Sequence, residues 1–242
     1  MSEYNYTVSL AGIPIMLRCH FPYTAFEEFS TTEKVKEIIT IEPDNLSILQ
    51  RYAAASELTS SQNAEYLQLM GEVGSTLLKY DRCLFHGTAF IWHKKAWIFT
   101  APSGTGKTTQ YVLWKMMYKN ELSIINGDKP ILEFCENRTV WVHPSPWKGK
   151  ENMGIMQSAP LGGLILLKQG AENHVQRLMP SSAALPLYSQ FMFLVDNLEN
   201  IDRVCMLETR LLKTCPVWKL TNLGDDDSAK LMHDTLLRWE QQ

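Results

Sequence analysis

The chain has 242 residues, of which 45% are hydrophobic and 20% charged, and its formal net charge at pH 7 is −3. This length and apolar content suit one large folded domain, or one domain with a small appendage. The slightly acidic balance argues against nonspecific nucleic-acid binding, which needs a basic surface to collect phosphates. Because no apolar run approaches membrane-spanning length, we expect no membrane partner.

The cysteines and the first residues bear on the cellular compartment. The five cysteines are scattered, with an odd total and no close pair, which favours reduced thiols over a disulfide framework. The start, Met-Ser-Glu-Tyr-Asn-Tyr, has neither the basic nor the apolar stretch of a signal peptide. We therefore expect a cytoplasmic protein.

The N-terminal quarter differs in pattern from the rest of the chain. Residues 1–58 are predicted to be a small segment of unknown role, with short extended pieces at Tyr6–Leu10 and Ile13–Cys19. Residues 59–242 are predicted to form the main domain. It opens with apolar residues at helical spacing, which predict a helix over Ser61–Tyr80.

The middle of the chain is rich in hairpin signals. Short apolar runs separated by turn residues predict hairpins that turn at 93–95 and 136–138. The strands predicted around them are Cys83–Trp92, Ala96–Ala101, Leu122–Ile125, Ile131–Cys135 and Thr139–His143.

The last third alternates strands and helices. Leu161–Leu167 is almost entirely apolar, which predicts a central strand. Helices are predicted at Ser181–Val195 and Ile201–Lys213, then a strand at Val217–Leu220 and a helix at Asp225–Trp239. The sequence therefore predicts an α/β fold with a mixed, hairpin-rich sheet rather than a purely parallel one.

The octapeptide 101–108, Ala-Pro-Ser-Gly-Thr-Gly-Lys-Thr, is the strongest functional signal. It follows a predicted strand and opens a predicted helix, Thr108–Lys119, which is the context of a phosphate-binding loop. In such a loop the backbone amides cradle phosphates, Lys107 reaches the outer phosphates and Thr108 holds Mg²⁺. The alternative is a glycine-rich turn with a solvated Lys107. The predicted nucleotide-binding residues here are Ser103, Gly104, Thr105, Gly106, Lys107, Thr108 and Thr109.

Two further segments carry charged candidates. Asp128 directly follows a short apolar strand, so it can supply a carboxylate to Mg²⁺ or to an acceptor hydroxyl; its alternative is a turn-forming residue in Asn-Gly-Asp. In the loop 144–152, Lys148 and Lys150 are predicted to contact phosphate oxygens or to position an acceptor, and Glu151 is a second acid. The alternative for this loop is a solvated turn with Trp147 anchored in the core.

Taken together, these segments resemble the HPr kinase/phosphorylase-like family, a relative of the nucleotide-dependent phosphoenolpyruvate carboxykinases. The resemblance covers about residues 62–235. It rests on segments 84–87 (LFHG), 99–109 (FTAPSGTGKTT), 126–130 (NGDKP), 145–151 (SPWKGKE), 160–163 (PLGG) and 215–220 (CPVWKL). It is strongest with short stand-alone bacterial proteins, some of which phosphorylate serine in precursor peptides such as those of lasso peptides.

The resemblance implies roles for single residues. His86 would line the active site, although alone it is more simply a structural histidine. Asp128 matches the second member of an Asp-Asp pair in which one aspartate binds the metal and the other removes the proton from the acceptor. Together with Thr108, Asp128 would hold the metal. Gly127 stands in the first position, so Glu151 or His86 would take the other task. An aspartate restored at 127 is then a candidate to raise turnover.

These inferences lead to three functional hypotheses. The first is a kinase that uses Mg²⁺ and ATP, or another nucleoside triphosphate, to phosphorylate a hydroxyl, serine of a peptide or small protein. The second is a nucleotide-binding regulatory protein with little turnover, suggested by Gly127. The third is a small-molecule kinase or carboxykinase-like enzyme. A homo-oligomer is compatible with each.

Overall fold

The computed structural model describes residues 4–41, 61–195 and 197–241. These residues form an α/β protein with two β-sheets and five α-helices in the described ranges. The predicted boundary between residues 58 and 59 lies outside the described residues. No helix in the described ranges is both long and apolar enough to cross a membrane.

The N-terminal sheet is built on a hairpin. Its strands are β1 (Tyr4–Leu10), β2 (Ile13–Cys19) and β3 (Glu37–Thr40). β1 and β2 pair antiparallel through a turn in which Ala11 and Gly12 both have positive φ, and β3 pairs parallel to β2. A 3₁₀ helix, Thr24–Phe29, lies between β2 and β3. The two extended pieces predicted in this region are therefore confirmed.

The large sheet has ten strands in the described part of the chain and is mixed. Its strands are β4 (Arg82–Phe85), β5 (Thr88–Trp92), β6 (Lys95–Thr100), β7 (Ser123–Asn126), β8 (Ile131–Phe134), β9 (Val140–His143), β10 (Ala159–Gln169), β11 (His174–Arg177), β12 (Phe191–Met192) and β13 (Val217–Asn222). The order is β12-β4-β8-β9-β10-β6-β5-β7, with β13 also beside β10 and β11 beside β13. β10 is parallel to β6 and to β13, whereas the hairpins are antiparallel.

Helices cover both faces of the large sheet. They are α1 (Ser61–Leu78), α2 (Lys107–Tyr118), α3 (Pro180–Tyr188), α4 (Leu198–Thr214) and α5 (Asp226–Glu240). Side chains alternate across β6: Trp97 and Phe99 belong to the core shared with α2 and α5, and Ile98 to the core shared with α3 and α4. A strand buried on both faces explains the nearly continuous apolar runs of β6 and β10. α1 packs with the N-terminal sheet in a third cluster.

Most predicted elements are confirmed, including both hairpins. The first turns at His93 and Lys94, whose φ values of 48° and 64° match a two-residue hairpin turn, while Lys95 already belongs to β6. The second turns at 136–138 between β8 and β9. β6 and β7 lie in one sheet, on either side of β5, as predicted for 96–101 and 122–125.

The single strand predicted at 83–92 is wrong, because the chain breaks at His86 and Gly87. β4 pairs with β8 and β12, whereas β5 pairs with β6 and β7. A Cβ at Gly87 would lie 2.5 Å from Ile98 Cγ2 and 2.9 Å from the Phe99 carbonyl oxygen. This close backbone approach allows the chain to leave one set of partners and join the other.

The helix predicted at 181–195 is too long. α3 ends at Tyr188, and Phe191 and Met192 pair antiparallel with β4. The Phe191 ring meets the Phe85 ring edge-on at a centroid distance of 5.3 Å. Tertiary packing therefore outweighs helical propensity in this segment.

Candidate functional site

The 101–108 loop joins β6 to α2, which is the strand–loop–helix context expected from the sequence. Gly104 and Gly106 have φ of 79° and 106°, a left-handed conformation that glycine adopts without strain. The Thr105 hydroxyl donates to the Pro102 carbonyl at 2.9 Å and closes the turn. Gly106 gives α2 no side-chain cap, so the first amides of the helix remain available to a bound anion.

The loop lysine is folded over the loop. Lys107 is 8% exposed, and its Nζ donates to the Ala101 carbonyl at 2.9 Å and to the Pro102 carbonyl at 3.3 Å. Burial lowers the pKa of Lys107 to about 8; nearby Asp128 opposes this shift, and Lys129 adds to it. These three charged groups therefore lie within electrostatic range of one another.

The turn that carries Asp128 is closed by a different residue. Asn126 Oδ1 accepts from the backbone N–H of Asp128 at 2.9 Å and of Lys129 at 2.7 Å. Asn126 Nδ2 donates to the Ser145 carbonyl at 3.0 Å, and the Gly87 N–H donates to the Asp128 carbonyl at 2.8 Å. Because Asn126 closes the turn, the Asp128 carboxylate is left for other contacts.

The Asp128 carboxylate lies between two cationic or ionisable partners. Oδ1 is 3.4 Å from His86 Nε2 and Oδ2 is 2.9 Å from Lys129 Nζ, and the side chain is 31% exposed. Burial acts to raise the pKa of Asp128, but the hydrogen bond to His86 and the charge and hydrogen bond of Lys129 outweigh it and hold the pKa at about 2. Asp128 is therefore ionised at neutral pH.

His86 owes its position to the break between β4 and β5. Its N–H donates to the Gln190 carbonyl at 2.7 Å, and its carbonyl accepts from the Thr100 hydroxyl at 2.7 Å. Thr100 ends β6, directly before the 101–108 loop. These two backbone hydrogen bonds therefore hold His86 beside Asp128 and connect it to the residue that precedes the 101–108 loop.

The segment 145–152 lies against Asp128. Trp147 is 3% exposed and its Nε1 donates to the Tyr66 carbonyl at 3.3 Å, so this anchor is in the core. Two residues on, Gly149 has φ of 78°, and a Cβ there would lie 2.9 Å from Asp128 Cβ. The segment is both anchored by its tryptophan and packed on the candidate acid.

The charged residues of this segment point in different directions. Lys148 is ion-paired with Glu28, on the 3₁₀ helix of the N-terminal region, and its side chain is 10% exposed. Lys150 and Glu151 are exposed. Among the described contacts of the Asp128 carboxylate, the partners are His86 and Lys129, not Glu151.

Gly127 leaves no room for a side chain. A Cβ would lie 2.7 Å from the Lys148 carbonyl oxygen and 3.3 Å from the Met153 carbonyl oxygen. The Gly127 N–H already donates to that Met153 oxygen at 2.9 Å, and the Gly127 carbonyl accepts from the Thr88 hydroxyl at 3.0 Å. An aspartate at 127 would therefore require the backbone at Lys148 to move, and its effect on turnover stays a prediction.

Lys129 is the site residue that the sequence analysis missed. It is 9% exposed, and its ammonium pairs with Asp128. A lysine next to an aspartate in a Gly- and Pro-containing turn is typical of a solvated charge, so the sequence does not predict its burial. In the structure the Lys129 N–H donates to the Trp147 carbonyl at 3.1 Å, which holds the backbone of Lys129 against segment 145–147. Glu28 was missed as well, because 120 residues separate it from Lys148.

The donor set fits a magnesium ion that arrives with a nucleotide. Mg²⁺ is held in such sites by one or two carboxylates together with phosphate oxygens, and Asp128 is an ionised, partly exposed carboxylate. Thr108, in the first turn of α2, offers a hydroxyl. The described residues contain no cluster of three or more His, Cys, Asp or Glu side chains that would hold a metal without a nucleotide.

The comparisons with known proteins show a weak likeness in structure only. No protein-family model matches the chain, and no curated protein matches it. Among solved structures it is similar to the HPr(Ser) kinase/phosphatase from Coxiella burnetii, at 10% sequence identity and a TM-score of 0.35. The match covers 65% of this chain and 98% of that one, and a likeness this low supports no functional argument.

Proposed function

We propose that the chain is an ATP- and Mg²⁺-dependent phosphotransferase that transfers the γ-phosphoryl group to a hydroxyl, serine of a peptide or small protein. The observation that carries the proposal is the convergence of Lys107, Asp128 and Lys129. The loop lysine and the acid come from separate elements, yet the charge of Asp128 acts to raise the pKa of Lys107. Phosphoryl transfer needs this combination of a phosphate cradle, cations and a carboxylate near the acceptor.

Each group has a distinct task in this proposal. The amides of 103–107 and Lys107 bind the outer phosphates. Asp128, with a pKa of about 2, is a poor proton acceptor but orients the acceptor hydroxyl for in-line attack. His86, whose Nε2 lies 3.4 Å from that carboxylate, would accept the hydroxyl proton through the ring nitrogen that does not donate to Asp128. Mg²⁺, held by Asp128 and Thr108, would neutralise charge on the phosphates.

The structure changes the expected roles of the loop cations. Lys148 is occupied by Glu28, whereas Lys129 lies against Asp128 with its ammonium buried. We therefore assign the screening of charge on the transferred group to Lys129 beside Lys107, with Lys150 free to contact an acceptor. A cation fixed in a protected site stabilises developing charge more than one on a mobile surface chain.

A nucleotide-binding regulatory protein with little turnover is the second candidate. The observation that favours it is Gly127, where the packing excludes a second carboxylate. A site with one acid retains every group needed to bind a nucleotide, but it has fewer groups to activate an acceptor.

Calorimetry and a transfer assay separate these candidates. Lys107→Ala should weaken Mg·ATP binding about ten- to a hundredfold, since a charge-assisted contact contributes about 1.5–3 kcal/mol. Lys230→Ala, an exposed lysine on α5, is the matched control and should bind as the parent does. Equal affinity for the parent and Lys107→Ala would remove the nucleotide assignment.

The transfer assay uses γ-labelled ATP with peptides encoded by neighbouring genes, and with small hydroxyl compounds. Gain of one phosphate on a peptide serine, seen by mass spectrometry, supports the kinase. Tight binding without transfer to any acceptor supports the regulatory protein, and transfer only to small compounds supports a small-molecule kinase.

A further inference from the structure

A concave site whose lining contains none of residues 101–108 lies elsewhere in the fold. It is a cavity of about 530 Å³ between the β8–β9 turn and the last turn of α4. β8 links it to the candidate site: Ile131 follows the Asp128–Pro130 turn, and Phe134, at the other end of the strand, lines the cavity. About 10 Å of strand separates these two ends.

The lining combines an apolar floor with cations. Phe134 and Val140 are buried, and Arg138, Arg210 and Lys213 bring three positive charges to the cavity. A volume of about 530 Å³ falls within the range of small-molecule sites, roughly 300–1,000 Å³. The cavity therefore suits a ligand with a carbon skeleton and acidic groups.

One of the three cations is fixed by its neighbours. Arg210 Nη1 pairs with Asp81 Oδ2 at 2.8 Å, and Nη2 donates to the Phe134 carbonyl at 3.0 Å. Asp81 thus offsets the charge of Arg210, and Glu136 is a carboxylate within the lining. Arg138 and Lys213 are exposed cations on opposite walls, one on the hairpin turn and one on α4, and together they outweigh the single carboxylate of Glu136.

The backbone at Arg138 is set by the hairpin turn. Arg138 has φ of 64°, a left-handed conformation, at the third position of a three-residue hairpin turn closed by Cys135 N–H to the Thr139 carbonyl at 2.9 Å. Glycine fills this position without strain, and arginine does not. The turn therefore presents an arginine side chain to the cavity from a position that glycine can occupy without disturbing the backbone.

We propose that this cavity binds a small organic or inorganic anion that carries two or more carboxylate or phosphate groups. Arg138 and Lys213 bind separate acidic groups, Arg210 donates from the floor, and Phe134 and Val140 contact the skeleton. This site is distinct from the nucleotide site, and its existence does not depend on phosphotransfer chemistry.

The test is a titration of ¹⁵N-labelled protein with citrate and, separately, with pyrophosphate. Amide resonances of 134–140 and 210–214 should shift with a dissociation constant of about 1 mM or tighter for at least one probe. Citrate reports a preference for carboxylates and pyrophosphate a preference for phosphates. Pyrophosphate also tests the loop, whose resonances at 101–108 are read separately.

The variants are chosen so that the fold survives. Arg138→Gly suits the left-handed turn, and Lys213→Ala changes an exposed helix position. Each should weaken binding at the cavity about tenfold, because each removes a charge-assisted contact. The matched control is Lys94→Gly. Lys94 lies in the β5–β6 turn and has the same φ as Arg138, 64°, so the control removes one positive charge from a similar backbone position and should leave binding at the cavity unchanged.

Four results would overturn the proposal, three from the titrations of the parent and the double variant and one from the control. The first three are the absence of shifts at 134–140 and 210–214 with both probes, shifts confined to 101–108, and shifts at the cavity that persist in the Arg138→Gly, Lys213→Ala double variant. A loss of binding equal in Lys94→Gly and Arg138→Gly would show that net charge alone acts, and it would overturn the proposal too.

Discussion

Asp128→Asn tests whether one acid serves the site. The substitution removes the charge that pairs with Lys129 and His86 but keeps the size of the side chain. We expect loss of phosphoryl transfer with Mg·ATP affinity changed less than tenfold, because Lys107 and the loop amides carry most of the phosphate binding. The measurements are the rate of transfer from γ-labelled ATP and the calorimetric affinity for ATP.

The same variant has a stability effect that depends on pH. The pKa of Asp128 falls from an ordinary 3.8 to about 2 on folding. At about 1.4 kcal/mol per pKa unit, the ionised carboxylate contributes at most about 2 kcal/mol to the free energy of unfolding, because a side chain that is 31% exposed is partly screened by solvent. A depressed carboxyl pKa stabilises the fold above the unfolded pKa and ceases to do so as pH falls through the folded pKa. The difference between parent and Asp128→Asn should therefore be full at pH 7 and about half as large at pH 3.

Urea unfolding at the two pH values measures this difference, with Asp202→Asn, an exposed aspartate on α4, as the charge-matched control. An Asp128→Asn protein that transfers phosphate at the parent rate would refute the reasoning, since another acid would then do the work. A stability difference that does not change between pH 7 and pH 3 would show that Asp128 acts through packing and not through its charge.

Two further predictions concern the frame around the site. Gly127→Ala should destabilise the fold by about 1–3 kcal/mol and Gly127→Asp by more, because a Cβ at this position would lie 2.7 Å from the Lys148 carbonyl oxygen. Thermal unfolding measures the loss of stability. A faster transfer rate in Gly127→Asp would contradict the prediction. Glu65→Ala should lower the free energy of unfolding in urea by about 3–5 kcal/mol. The Glu65 carboxylate is fully buried and accepts hydrogen bonds from the His20 backbone N–H, the His20 ring Nδ1 and the Tyr23 hydroxyl at 2.8–2.9 Å. Exposed Glu33→Ala is its control, and a loss below about 1 kcal/mol would contradict the estimate.

The parts of the fold that the sequence predicts are those governed by local pattern. The apolar run 161–167 predicts a central strand because both of its faces are buried, and β10 has β6 on one side and β13 on the other. Turn residues between short apolar runs predict both hairpins, because a hairpin turn also depends on residues that are adjacent in the sequence. The break at Gly87 and the strand at Phe191–Met192 escape prediction, because each depends on a partner that is distant in sequence.

The candidate site likewise has a part that local sequence predicts and a part that it does not. A motif with fixed spacing predicts the 101–108 loop, and position after a strand predicts Asp128. The sequence does not reveal which charges pair: the buried Lys129 pairs with Asp128, and Lys148 pairs with Glu28. Charge pairs formed by residues far apart in the chain carry no periodic signal, so they are found only once the fold is known.

The segment 145–149 couples the N-terminal sheet to the site. Trp147 packs in the cluster of the N-terminal sheet and α1, with its ring 5.9 Å from that of Phe26, while Gly149 lies against Asp128. Tyr66 on α1 donates to the Pro146 carbonyl at 2.9 Å, and its own pKa is raised by burial and by the charge of Asp128. The surroundings of the candidate acid are therefore built partly by the N-terminal core.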